Sequence, residues 1–396
     1  MQISQRKNDM QSASRRSFLR TGALGAGAAV GIGLLPEHAA AFDDQGNSPL
    51  NRGDLMILTF LSALEQVEAD LWIQYAELGG ATNQGLSPID LQLNGKVIQT
   101  GLAAGYVAAL QALDGDMPQY IADNTDDEIS HHRFLNNYLM SKGAPPVDLS
   151  RFALLPPSRV TGVPQNGRLT NLQRLTIETT WWTRYRSATA NPDFGGTFEN
   201  AVPDLAKAPH TAIPVTDADA ALNPDGSIPD RVQAIASTAG FHFAFIEQGG
   251  SSLYPAMAQK ASSLEVLRIL LSIGGSEIMH FQTWHDKSGN APNITVGNLT
   301  FPNLNSGVDP NTGASGSADE FQTNLIMPEP TLFLDPKLGP VSIIRPTSTQ
   351  QGGAVASVVS FVKNGLFFDP TTGENTGIVE VLMELAEAAD GAKRTM

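Results

Sequence analysis

Two tetrads define the chemistry open to this chain. Glu128-Ile129-Ser130-His131 and Glu277-Ile278-Met279-His280 each set a carboxylate and an imidazole three residues apart. On a helix such residues share one face, about 5–6 Å apart. From a rigid backbone they can reach one metal region. The second tetrad also continues an apolar face built from Val266, Leu267, Ile269, Leu270, Leu271 and Ile273 and carried on by Phe281 and Trp284. A carboxylate on that face is costly unless it is paired or bound to a cation. The chain has no cysteine, so disulfides, thiolate nucleophiles and thiolate-held metals are excluded. Any metal must be held by nitrogen and oxygen, a donor set that suits iron and manganese.

Four long helices are needed to position these groups. The first is expected from Leu55 to about Leu78, capped by Asp54 and stopped at Gly79-Gly80. After a loop with Gly85 and Pro88, a helical run covers about 97–113, and helix restarts near Pro118 and continues to Gly143. Residues 144–227 are rich in Pro, Asn, Gly and Thr and read as a crossover with its own local structure and a short helix at about 172–186. The third long helix starts near Pro229, and the fourth runs from Ser263 to about Gly289. Beyond it lie a strand-like alternation at Asn293–Phe301 and helical runs at about 353–366 and 377–392. The fold class is therefore mainly α, with four long helices at 50–290, a long crossover at 144–227 and an irregular extension with short strands and two helices at 291–396.

The first and third helices echo each other. Glu65 is followed seven residues later by Trp72, and Glu247 by Tyr254, each glutamate lying on an otherwise apolar or small stripe. The order along the chain is Glu, Glu-x-x-His, Glu, Glu-x-x-His. That is the ligand inventory of dinuclear carboxylate helix bundles. Two divalent cations held close together repel, and four carboxylates offset their charge.

On the segments LSALEQVEADLW, DDEISHHRFL, FIEQGGSSLY and GSEIMHFQTW, the sequence resembles the ferritin-like superfamily, and within it the exported bacterial ferritin-like domain proteins. The resemblance covers about 50–143 and 228–290 and implies a ferritin-like four-helix bundle. By position, Glu65 and His131 would serve one metal, Glu247 and His280 the other, and Glu128 and Glu277 would bridge. The implied cofactor is two iron ions, with two manganese ions as the alternative. The implied activity is ferroxidase or peroxidase-like, with dioxygen or hydrogen peroxide as oxidant and an external electron donor. A di-manganese catalase-like enzyme and a catalytically idle desiccation-stress protein are the competing readings, and a homo-oligomer is compatible with all three.

Other residues near the ligands have more ordinary readings. Glu68, one turn beyond Glu65, is either a further ligand or an acceptor behind one. Asp127 reads as an outer or surface acid. His132 is expected to face solvent or a neighbouring helix, and His242 and His285 to be peripheral. Core packing is the expected role of Trp72 and Tyr254, with hydrogen bonding near the metals the lesser reading. Trp181–Arg186 (WWTRYR) is expected to anchor the crossover. Gly249-Gly250 and Gly274-Gly275 cost helix stability, which implies close packing or room for a ligand.

The 396 residues are 41% hydrophobic and 16% charged, with 37 Gly, 25 Pro and a formal net charge of −15. Ser14–Arg20, SRRSFLR, is a twin-arginine pattern followed by a Gly/Ala-rich apolar run and Ala39–Ala41. Residues 1–41 are expected to be an export signal, giving a periplasmic or extracellular protein. The apolar run is too short for a stable membrane span. Removing five basic and two acidic residues with the signal leaves the chain more acidic still, which argues against nucleic acid as a partner.

Overall fold

Helix α1, Arg52–Gly79, begins two residues before the expected Asp54 cap. The cap is Asn51, whose side chain accepts from the Asp54 amide at 2.9 Å. Asp54 is buried and does different work: its carboxylate accepts the amides of Ser262 and Ser263, both at 2.8 Å. The start of α1 is thereby tied to the turn between two later helices.

The computed structural model describes residues 50–81, 92–93, 96–187, 190–304, 330–343 and 353–395. The expected export signal and the loop with Gly85 and Pro88 lie outside them. All belong to one unit, Ala41–Met396. Strands β1 (Gln92–Leu93) and β2 (Lys96–Val97) pair antiparallel just before the stretch where the sequence suggested helix. Helix α2 is confined to Ala104–Gln111. Gly101 adopts φ +68°, a left-handed conformation that a helix cannot incorporate. Helix α3, Met117–Ser141, has Pro118 in its first turn, as expected.

The crossover contains α4 (Thr180–Arg184) and α5 (Pro203–Lys207), so the expected helix at 172–186 shrinks to its last turn. The rest is held by side chains. Asp70 of α1 accepts from the amides of Leu169 and Thr170 and the Thr170 hydroxyl. Arg168 and Glu77 form a buried ion pair at 2.6 Å. Trp181, Trp182 and Arg186 are fully buried, with the Arg186 guanidinium 3.3 Å above the Trp182 ring and in contact with His285 Nε2. This is the expected anchor.

Helices α6 (Asp230–Ala258) and α7 (Leu264–Ser288) follow the expected bounds. They pack on each other, and α1 packs on α3. The hairpin of β3 (Ile294–Val296) and β4 (Leu299–Phe301) leans on α6, and β5 (Pro330–Leu332) pairs with β6 (Pro340–Ser342). Helix α8 (Ala354–Asn364) packs on α6, and α9 (Ile378–Asp390) on α1 and α8. The chain is mainly helical, and among the described residues no helix is long and apolar enough to cross a membrane.

Candidate metal centre

Each of the four long helices sends acids or imidazoles to one buried place. Helix α1 contributes Glu65, α3 Glu128 and His131, α6 Glu247, and α7 Glu277 and His280. Two four-residue groups form, Glu65–Glu128–His131–Glu277 and Glu128–Glu247–Glu277–His280, each with its ligand atoms within 4.8 Å of one another. Glu128 and Glu277 belong to both. His131 Nδ1 lies 3.1 Å from Glu128 Oε2 and 3.4 Å from both Glu65 Oε2 and Glu277 Oε1. His280 Nδ1 lies 3.0 Å from Glu128 Oε1 and 3.3 Å from Glu247 Oε2. All six residues named from the sequence meet here.

A ring of donors fixes the carboxylates. Trp72 Nε1 donates to Glu247 Oε1 at 2.9 Å, and the Tyr254 hydroxyl donates to Glu65 Oε1. Each aromatic lies one heptad beyond one glutamate and serves the other. Packing alone, the expected role, is therefore incomplete. Asn124 Nδ2 donates to Glu128 Oε1 and Glu247 Oε1, both at 3.0 Å, while Asn124 Oδ1 accepts from Trp284 Nε1 at 2.8 Å. The sequence reading missed Asn124, although it stands one turn before Glu128 on the same face. Behind His280, Nε2 meets Asp127 Oδ2 at 3.2 Å, so Asp127 is indeed an outer acid.

Two of the four mid-helix glycines have a packing reason. A Cβ on Gly250 would overlap the Glu277 carboxylate, and one on Gly274 would lie 2.7 Å from Tyr254 Cβ. Gly275 faces open space, and Gly249 would make only ordinary contact with Phe361 at 3.9 Å. Nothing in the structure explains these two.

Burial dominates the electrostatics. It pushes Glu65 from its usual 4.5 to about 7, against the opposing pull of His131. Burial, with the charges of neighbouring glutamates, raises Glu277 and Glu68 well above the usual range and Glu247 above it. Glu128 goes the other way: burial would raise it, but His131 and His280 together hold it down. Burial disfavours charge on both imidazoles, yet the surrounding carboxylates raise both. Without a metal, protons offset the crowded negative charge.

The donor set fits divalent cations. Glu65 Oε2, Glu247 Oε2, both carboxylate oxygens of Glu277 and His280 Nδ1 are buried without a hydrogen-bond partner. Buried polar atoms left unpaired are costly, and a cation is the partner this set of acceptors shares. Glu68 is buried beside the cluster, in neither group. His132 is half-buried and outside both, pushed down to about 4 by burial. His242 and His285 lie outside both groups as well, peripheral to the cluster as expected, but not on the surface. Both are buried, His242 bonded to Tyr75 and His285 packed against Trp182 and Arg186.

Set beside known proteins, the chain matches no family model, no curated protein and no solved structure.

Proposed function

We propose that this is a ferritin-like, dinuclear carboxylate protein, exported by the twin-arginine route, that couples oxidation of two iron ions to reduction of hydrogen peroxide or dioxygen. One observation carries the reading: four glutamates and two histidines from four helices converge in the interior, and carboxylate oxygens of Glu65, Glu247 and Glu277 there have no hydrogen-bond partner. Glu65 and His131 would hold one ion and Glu247 and His280 the other, with Glu128 and Glu277 shared. When bound, the ions would supply the electrons that reduce the oxidant. The remaining work falls to the chain. Trp72 and Asn124 hold Glu247 in place, Tyr254 holds Glu65, and Asp127 keeps Nδ1 of His280 turned inward. Glu68, buried beside the cluster and in neither ligand group, is the acid placed to exchange a proton at the edge of the site. Export of an already folded chain suits a protein that must take up its metal before leaving the cell.

The test is elemental analysis of the protein exported with its own leader, beside a Glu128→Ala, Glu277→Ala double variant. About two equivalents of iron, lost in the variant, is the expected result. Two equivalents of manganese with peroxide disproportionation and no added donor would shift the reading to a catalase-like enzyme. A stable protein without stoichiometric metal would leave only a structural role.

A further inference from the structure

A tyrosine–histidine pair lies deep in the fold, outside the ligand set, and an aromatic contact joins it to the centre. The Tyr75 hydroxyl is 2.7 Å from His242 Nδ1, and both side chains are fully buried. Tyr75 also packs against Trp72, ring centroids 5.7 Å apart, and Trp72 is the residue whose Nε1 bonds Glu247. Trp72 in turn stacks on Trp284 at 5.3 Å, and Trp284 meets half-buried Tyr120 at 6.3 Å. The series Tyr120–Trp284–Trp72–Tyr75 is a set of contiguous oxidisable rings, branching at Trp72 to the carboxylate cluster.

We propose that Tyr75 is a redox-active residue that gives one electron through Trp72 to the carboxylate–imidazole centre, with His242 Nδ1 as the acceptor of its phenolic proton. In that step the O–H bond of Tyr75 breaks and an N–H bond forms on His242. A neutral phenoxyl and an imidazolium remain, and the electron leaves through the indole. Its natural oxidant would be the centre once hydrogen peroxide or dioxygen has reacted there, so the physiological role rests on the function proposed above. The proton needs a local acceptor because a buried tyrosine cannot release it to water, and a phenol that kept it would be a far poorer donor. His242 is suited to this role. Burial pushes it down to about 3, so the ring stands neutral and able to accept; burial opposes the imidazolium, and the strong acidity of the one-electron-oxidised phenol drives the transfer. On its far side the ring faces the buried side chain of Asn364, whose amide oxygen pulls against the lowering by burial. The imidazolium would have an acceptor ready.

The absence of cysteine from the chain makes the test clean. An Asp123→Cys variant places a single thiol on the exposed side of α3, one turn from Tyr120. A ruthenium–polypyridyl label there, flash-oxidised with an external acceptor in metal-free protein, removes one electron from the ring series. The expected product is a neutral tyrosyl radical, with the electron-paramagnetic g-tensor of a hydrogen-bonded phenoxyl. That signal is lost when Tyr75→Phe is added and greatly reduced when His242→Phe is added, with unchanged circular dichroism. A signal that survives Tyr75→Phe, one unaffected by His242→Phe, a phenoxyl without a hydrogen bond, or no tyrosyl radical in the labelled parent would each overturn the proposal. The g-tensor is read on a protein that keeps both residues, so it decides even if a variant misfolds. The label supplies its own oxidant, so this outcome is independent of the metal analysis that tests the function.

Discussion

The helix pairs α1–α3 and α6–α7 carry the same three ligand positions but surround them differently. In both, a glutamate is followed seven residues on by an aromatic that bonds the opposite glutamate. Close packing also repeats. Thr125 donates to the Trp72 carbonyl at 3.1 Å, and Gly274, its counterpart before Glu277, lies against Tyr254 Cβ. The differences fall on the next ring of groups. Three residues past Glu65 stands Glu68, whereas three past Glu247 stands Gly250, whose missing side chain is the space Glu277 fills. Glu247 takes hydrogen bonds from Trp72 and Asn124, and His280 has Asp127 behind it. Glu65 has one such donor, Tyr254. The Glu247–His280 side is thus the more firmly oriented half, and the Glu65–His131 side carries the spare acid. On the function proposed above, duplicated ligands with unequal support would give two metal sites of unequal tightness.

Gly250→Ala is the strongest way to break this arrangement. The new methyl would displace Glu277, which both ligand groups share, so both metals should be lost in elemental analysis. Overpacking would cost about 1–3 kcal/mol of stability in denaturant unfolding.

Acidity probes the two halves together. Glu65, raised from 4.5 to about 7, keeps a proton in the folded metal-free chain that the unfolded chain has released. Glu247 and Glu277 shift the same way, and the raised His131 and His280 retain protons above 6.5. Through these groups the folded state binds more protons, so the cluster's own contribution to metal-free stability falls as pH rises from about 4.5 through 7, opposed up to about 6.5 by the lowered His132, His210, His242 and His285. The lowered Glu128 adds stability that is lost only below its unfolded value of 4.5. Metal should reverse this slope, because cations replace the protons. Thermal melts of both forms across that range, beside a Glu65→Gln variant, would show it, and a metal-free pH dependence that Glu65→Gln leaves unchanged would contradict it.

Asp127→Ala should weaken metal binding about 10–100-fold, as removal of an outer partner of a ligating histidine commonly does. Ser276→Ala, the matching position in the other half, should change it little. Competition titration with a chelator measures both, and equal effects would dissolve the asymmetry. The gentlest comparison is between donors. Asn124→Ala leaves two glutamates and Trp284 short of a partner and should cost about 1–3 kcal/mol, while Tyr254→Phe removes one bond at about 1 kcal/mol. Urea unfolding of the metal-free variants ranks them.

What could be read from the sequence was local. Each Glu-x-x-His tetrad is contained in one turn, and the ends of the long helices were marked by Gly79-Gly80, Pro118 and Gly289, so those parts are found where expected. Residues whose partners lie far along the chain were misjudged. His242 and His285 seemed to fall off the ligand face, and they do. Periodicity could not tell that α8 and the crossover cover those outer faces. The Trp72–Glu247 bond spans 175 residues, and no spacing rule reaches that far. Asn124 was within reach, since its place one turn before Glu128 puts it on the ligand face.

Asp54 sits eleven residues before Glu65, about 16 Å along the helix axis, and never approaches the centre. Yet its two bonds to the Ser262–Ser263 turn peg the α6–α7 hairpin lengthwise against α1. A slip of one turn, about 5.4 Å, would carry Glu247 and Glu277 past Glu65 and Glu128 and split the ligand set. The alignment of two helical rulers, and with it a complete coordination sphere, is set by an anion at the far end.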